Sequence, residues 1–181
     1  MKEYEQSFTE FKEKGKIRES TNSFKIKLFL EKGENSLLIA QYIKNLELSG
    51  DLPKKLYWNY WAITISYYSM LYAAKALILS KGYEVSHHDA CQAALGYLCV
   101  PDQIEKEDLE LLDQSYKIFE DEYVKYFEEA KKESNIARYA AIKTYTERRL
   151  DEIYENARAF VAKISLILST ENMSPPKGGN S

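Results

Sequence analysis

Leu56-Tyr-Trp-Asn-Tyr-Trp-Ala-Ile-Thr-Ile-Ser-Tyr-Tyr-Ser-Met-Leu-Tyr-Ala-Ala74 contains no charged side chain and runs on into Lys75-Ala-Leu-Ile-Leu-Ser-Lys-Gly82. A helix that is apolar on every side is wrapped by other helices. The hydroxyls of Tyr57, Tyr60, Tyr67, Tyr68 and Tyr72 then need hydrogen-bond partners at its surface. The stretch is also long enough to cross a membrane. Against that reading stand Asn59, Thr64, Ser66 and Ser69 within it, and aromatics spread along its length instead of gathered at two ends. The stretch reads as the central helix of a bundle, from about Pro53 to Lys81. Pro53 suits its first turn and Gly82 its C-terminal cap.

Working outward, Ser20-Thr-Asn-Ser23 offers N-caps for a helix through about Leu48. Ile26, Leu30, Gly33, Leu37 and Ala40 give it a seam at 3-4 spacing. Ser86-His-His-Asp89 resembles a capping box and opens a short helix to about Leu98, before Val100-Pro101-Asp102 breaks the chain. Leu109, Leu112, Tyr116, Phe119, Tyr123, Tyr126 and Ala130 form an a/d repeat. Glu133-Ser-Asn-Ile-Ala-Arg-Tyr139 reads as a break, and Thr144-Tyr-Thr-Glu147 as a capping box for a last helix. Leu150, Ile153, Ala157, Phe160, Ile164 and Ile167 line one side of that helix. No β-type alternation stands out. The expected fold is all-α, an up-and-down bundle of four to five main helices plus a short helix, spanning residues 21–170. Residues 1–20 would form an N-terminal arm or short helix, and residues 171–181 a disordered tail.

The chain has 181 residues, 45% apolar, enough for one domain with a real core. A net charge of -3 gives no global basic field for duplex nucleic acid or an anionic membrane. Charge is uneven. Residues 102–133 are acidic, whereas residues 137–163 lean basic through Arg138, Lys143, Arg148, Arg149, Arg158 and Lys163. Cys91 and Cys99 are the only cysteines. Their separation along one helix, about 12 Å of rise, is too great for a disulfide. They read as reduced packed thiols of a cytoplasmic protein, and the N-terminus lacks the apolar run of a signal peptide.

Three blocks carry a resemblance. They are Glu34-Asn-Ser-Leu-Leu-Ile-Ala40, then Tyr67-Tyr-Ser-Met-Leu-Tyr-Ala-Ala-Lys-Ala-Leu-Ile-Leu-Ser-Lys-Gly82 followed by His87-His88, and then Arg138-Tyr139 with Glu155-Asn-Ala-Arg-Ala-Phe-Val161. Over roughly residues 25–168 the chain is similar to the HEPN family (higher eukaryotes and prokaryotes nucleotide-binding), in its branch of small prokaryotic helical proteins. The resemblance implies a helical bundle, usually dimeric. Its members include ribonuclease toxins, partners of minimal nucleotidyltransferases, and proteins that have lost activity. Catalytic members carry an Arg followed four to six residues later by His, a pair this sequence lacks. The related branch often has His where Tyr72 stands here.

The expected function is therefore a nucleotide- or RNA-associated module in a toxin-antitoxin or nucleotidyltransferase-partner setting. It would act as a homodimer with an antitoxin or nucleotidyltransferase as protein partner, and away from membranes. Two alternatives stand beside it: a non-standard, metal-independent ribonuclease, and a non-catalytic adaptor whose apolar groove holds a partner helix. For catalysis the candidates are His87, His88 and Arg138. Imidazoles near neutral pKa move protons at a ribose hydroxyl, and a guanidinium stabilises phosphorane charge. For nucleotide binding the candidates are Tyr68, Tyr72 and Lys75, at i, i+4 and i+7 on one helix face, with Arg138 and Tyr139 to fork a phosphate and stack a base. Each has a plainer alternative: a polar first turn for the histidines, a snorkelling lysine, an ion pair for Arg138, core packing for the tyrosines. His87 and Cys91 share a helix face, but no second pair has ligand spacing, so neither a metal nor a cofactor is expected.

Overall fold

The uncharged run folds as expected, into the axis of the molecule. In the computed structural model, which describes residues 2–20, 22–46, 52–130 and 136–173 (side chains of 3–20, 22–46, 58–121 and 146–171), helix α3 spans Leu52–Ser80. Ala62, Ile63, Met70, Ala73, Ala74, Ala76, Leu77 and Ile78 on it are fully buried. The segment Trp58–Ser80 is long and apolar enough to cross a membrane, yet 78% of its most apolar window is covered by the rest of the protein. Gly82 closes it at φ +85°, a conformation that L side chains resist.

Five further helices surround α3: α1 (Lys2–Glu13), α2 (Ser23–Lys44), α4 (His88–Leu98), α5 (Lys106–Ala130) and α6 (Ile136–Met173). The seam of α2 lies against α3 around Gly33, where a Cβ would come within 3.0 Å of the Ser69 carbonyl oxygen and 3.3 Å of the Ala73 nitrogen. Only glycine lets the two backbones approach this closely. Helix α6 packs behind α3 through Leu150, Ile153, Ala157, Phe160 and Ile164, all buried. It runs antiparallel to α2, as the pairs Ser165 Oγ to Glu34 (2.8 Å) and Lys44 to Asp151 (3.0 Å) show. Helix α5 enters with Leu109, Leu112 and Ile118 buried, and is tied to α6 by Lys163 on Asp108 at 2.5 Å. Asp108 also accepts the Glu105 N–H at 2.8 Å, capping the helix start. The side chains of Tyr123, Tyr126 and Ala130 lie outside the described residues.

The all-α bundle holds, with four local differences from the expected elements. First, the chain contains a two-stranded antiparallel sheet. Strand β1 (Ile17–Glu19) pairs with β2 (Tyr83–Val85), with Ile17 opposite Val85. Each strand is three residues long, too short for alternation to show. Second, of the two forms expected for the N-terminal segment, an arm or a short helix, the structure has a helix, and it is docked. The Tyr4 ring of α1 seats on Gly96 of α4, where a Cβ would fall 2.4 Å from it. Phe8 is buried against Tyr83 and Tyr97, at ring separations of 5.2 and 4.7 Å. Third, Ser86 does not cap α4. Its N–H donates to the Lys16 carbonyl at 3.2 Å as part of the strand pairing, and His87 takes the N-cap position without a side-chain cap bond. Fourth, α6 begins at Ile136, so residues 136–139 of the expected break are helical and Thr144 lies inside the helix. Alanine-rich Ile136-Ala-Arg-Tyr-Ala-Ala141 favours helix strongly enough to override a downstream cap signal. Residues 131–135 lie outside the described residues, as do 174–181 of the expected tail.

Candidate functional site

Helix α3 is held by α2 on one side, α6 behind and α4 with α5 on the other, which leaves one sector facing water. Tyr68 emerges there at 39% exposure, with Tyr72 and Lys75 half-buried beside it. The 3-4 spacing of these three residues thus brings them onto one face, as their sequence positions require. Two residues of α2 join them. Phe29 stacks on Tyr72 (6.3 Å, 17° between planes), and the Lys32 ammonium lies 5.7 Å from the Tyr72 centroid and 5.9 Å from that of Phe29. Tyr68 lies 6.2 Å from Tyr72 and 5.9 Å from Phe119 of α5. Neither Lys32 nor Lys75 has a carboxylate partner among the described residues. Sequence reasoning did not single out Phe29 or Lys32. Their signal was 3-4 spacing on the outer side of α2, legible only once the α2–α3 register is known.

The two histidines part company. His87, at the N-cap of α4, is exposed. His88 turns inward and stacks on Tyr116 of α5 at 3.9 Å and 16°. Its Nδ1 shares a 3.1 Å hydrogen bond with the Tyr67 hydroxyl, and its buried Nε2 has no hydrogen-bond partner among the described residues. Burial lowers the His88 pKa, with Asp89, Asp113 and Glu120 pulling the other way. Burial likewise raises the Tyr67 pKa. Tyr116 donates its hydroxyl to Glu120, and that bond, with burial second, pushes its pKa up to about 12. At neutral pH the cluster is therefore a neutral imidazole between two protonated phenols.

Cys91, one turn on from His87, is fully buried, and its thiol is pushed up to about 12 by burial against the opposing charge of Lys75. It is not aligned with the exposed His87, and no group of three His, Cys, Asp or Glu is arranged to hold a metal among the described residues. Cys91 and Cys99 are both free and buried. Arg138 and Tyr139 belong to the first turns of α6, but their side chains lie outside the described residues.

What the arrangement offers chemically is an aromatic face with two ammonium groups that have no carboxylate partner among the described residues, suited to a base and its phosphate. Beside it lies a histidine packed away from water. No curated protein and no solved structure matches the chain. The model of the HEPN domain matches residues 38–167, well over half of the chain and including all of α3 to α5. The chain belongs to the HEPN family, a family of helical, nucleotide- and RNA-associated domains.

Proposed function

We propose that this chain is a nucleotide- or RNA-binding HEPN module that works without the family's Arg and His ribonuclease pair. It would act as a homodimer in a toxin-antitoxin or nucleotidyltransferase-partner system, with the antitoxin or transferase as its protein partner. The observation that carries the reading is the water-facing cluster of Tyr68, Tyr72 and Lys75 on α3 with Phe29 and Lys32 of α2. Rings that stack and cations without carboxylate partners among the described residues fit a nucleobase joined to a phosphate. Exposed Phe24, Leu38 and Tyr42 along α2, at 74, 63 and 75%, support a protein-contacting role for that helix.

The inward turn of His88 speaks for binding over catalysis. A general acid or base must reach the proton it moves, and here Nδ1 is engaged by Tyr67 while Nε2 is buried. Titration with AMP, ATP and short single-stranded RNA tests the reading. Saturable binding should weaken in Tyr72→Ala, Lys75→Ala and Arg138→Ala. Absence of binding at millimolar nucleotide and micromolar RNA overturns it. Cleavage of the RNA in EDTA, lost in a His87→Ala/His88→Ala variant, would replace it with the ribonuclease reading.

A further inference from the structure

His88 is packed in a pose that satisfies it incompletely. Its ring stacks on Tyr116 and its Nδ1 is shared with the Tyr67 hydroxyl, but Nε2 is buried with no hydrogen-bond partner among the described residues. A polar atom buried in that state gives up its hydration without recompense. The turn that carries His88 does little to hold it there. His87, the N-cap of α4, makes no side-chain cap bond, and the first turn of a helix so started frays readily. A support outside α4 must fix its start.

That support is the arm formed by α1 and β1. Strand β2 leads into α4, and among the described residues its one strand partner is β1. Ser86, two residues before His88, donates its N–H to the Lys16 carbonyl at 3.2 Å and reaches the same oxygen with its hydroxyl at 3.5 Å. At the other end of the pair the Ser20 N–H donates to the Gly82 carbonyl at 2.9 Å. The arm is itself a separable piece. Helix α1 packs on α4 and β1 and makes no comparable contact with α2, α3, α5 or α6 among the described residues. Its anchors are Tyr4 on Gly96 and Phe8 against Tyr83 and Tyr97, while Glu3, Gln6, Glu10 and Glu13 face water. The arm also precedes residues 38–167, the segment that the HEPN model matches and that contains β2 and α4.

We propose that the arm of α1 and β1 is a latch that stores His88. Docked, it keeps the imidazole folded against Tyr67 and Tyr116. Released, it lets the first turn of α4 open and brings the imidazole into water beside Tyr68. The latch stands apart from the nucleotide reading, because it concerns where the imidazole sits and not what the neighbouring face binds. Ring contacts join the two places: Tyr67 lies 5.4 Å from Tyr68, and Phe119 lies 4.9 Å from Tyr67 and 5.9 Å from Tyr68. The charged groups around the ring are Asp89 on α4 and Asp113 and Glu120 on α5. All three favour its protonated form, so burial alone opposes protonation and release removes that opposition.

The chain has two histidines, His87 and His88, so in His87→Gln the remaining imidazole reports His88 alone. In that background the full chain is compared with and without Tyr4→Ala/Phe8→Ala. Amide exchange reads whether the arm has left. Diethyl pyrocarbonate, which attacks an accessible neutral imidazole, reads where His88 is. With the arm docked, His88 should react at least about tenfold more slowly than N-acetylhistidine, since it reacts only from a locally opened state. With the anchors removed, exchange should quicken in residues 3–20 and 83–90 and stay slow in α3 and α6. The reaction should then approach the rate of N-acetylhistidine, and the imidazole titration followed by NMR should move up toward 6.5. If the double variant loses protection throughout, Gly96→Ala replaces it and loosens Tyr4 from the side of α4; the same loss there would show that the arm is not separable and overturn the latch. A released arm with His88 still slow also overturns it, because Tyr67 and Tyr116 then hold the ring unaided. So does an equally fast reaction in both proteins, or an arm that stays protected without its rings.

Discussion

His88 illustrates how one residue of register separates two adjacent histidines. It shares its helix face with Cys91 and Leu95, both buried, whereas His87 precedes the helix. That 3-4 spacing was present in the sequence, but its meaning depended on knowing where α4 begins, and Ser86 looked like the better cap. The consequence is a pH dependence of stability. Burial holds the His88 pKa below 6.5 in the fold, so on acidification the unfolded chain takes up the proton first. Stability contributed by the neutral imidazole is therefore complete above about pH 6.5 and declines below it, levelling once the folded group also protonates. The urea midpoint should fall between pH 7.5 and 5.5, and His88→Gln should fall less over that interval than either wild type or His87→Gln. An equal decline in all three would place the titration elsewhere.

At the scale of elements, α3 was legible because nineteen positions without charge admit only a bundle-core or a membrane-spanning helix, and the polar residues within them, beside a chain otherwise rich in amphipathic patterns, favour the core. The seam of α2 and the inner face of α6 were legible through 3-4 spacing. The start of α6 was not, because a capping signal marks a boundary only when the preceding residues disfavour helix. The docking of α1 was invisible for a different reason. It depends on the missing side chain of Gly96, and a glycine inside a helix reads as a weakness until something occupies the space. Gly96→Ala should expose this role. Alanine improves helix propensity by about 1 kcal/mol, yet its Cβ would stand 2.4 to 2.8 Å from three atoms of the Tyr4 ring. Amide exchange in residues 3–13 should quicken while protection in α3 and α6 is retained. Unchanged protection of α1 would mean that Tyr4 has another seat.

At the scale of the whole molecule, one core joins all six helices, with α3 at its centre. Leu77 on α3 is fully buried, so Leu77→Ala removes contacts shared by the whole bundle and should cost about 2–5 kcal/mol. Far-ultraviolet circular dichroism and tryptophan emission should shift together in denaturant, as in a two-state transition; separated midpoints would reveal subdomains that melt independently. The candidate site was only half legible at this scale, since Tyr68, Tyr72 and Lys75 share one helix whereas Phe29 and Lys32 reach them from another. The pairing of Ile17 with Val85 has a consequence in time. Strand β1 is made well before its partner β2, and α4, on which Tyr4 seats, follows later still. At about 5–20 residues per second, the arm spends several seconds outside the ribosome with Phe8 and Ile17 uncovered. Over that interval, α1 and β1 depend for their solubility on the charges of Glu3, Glu5, Glu10, Lys12, Glu13 and Lys14.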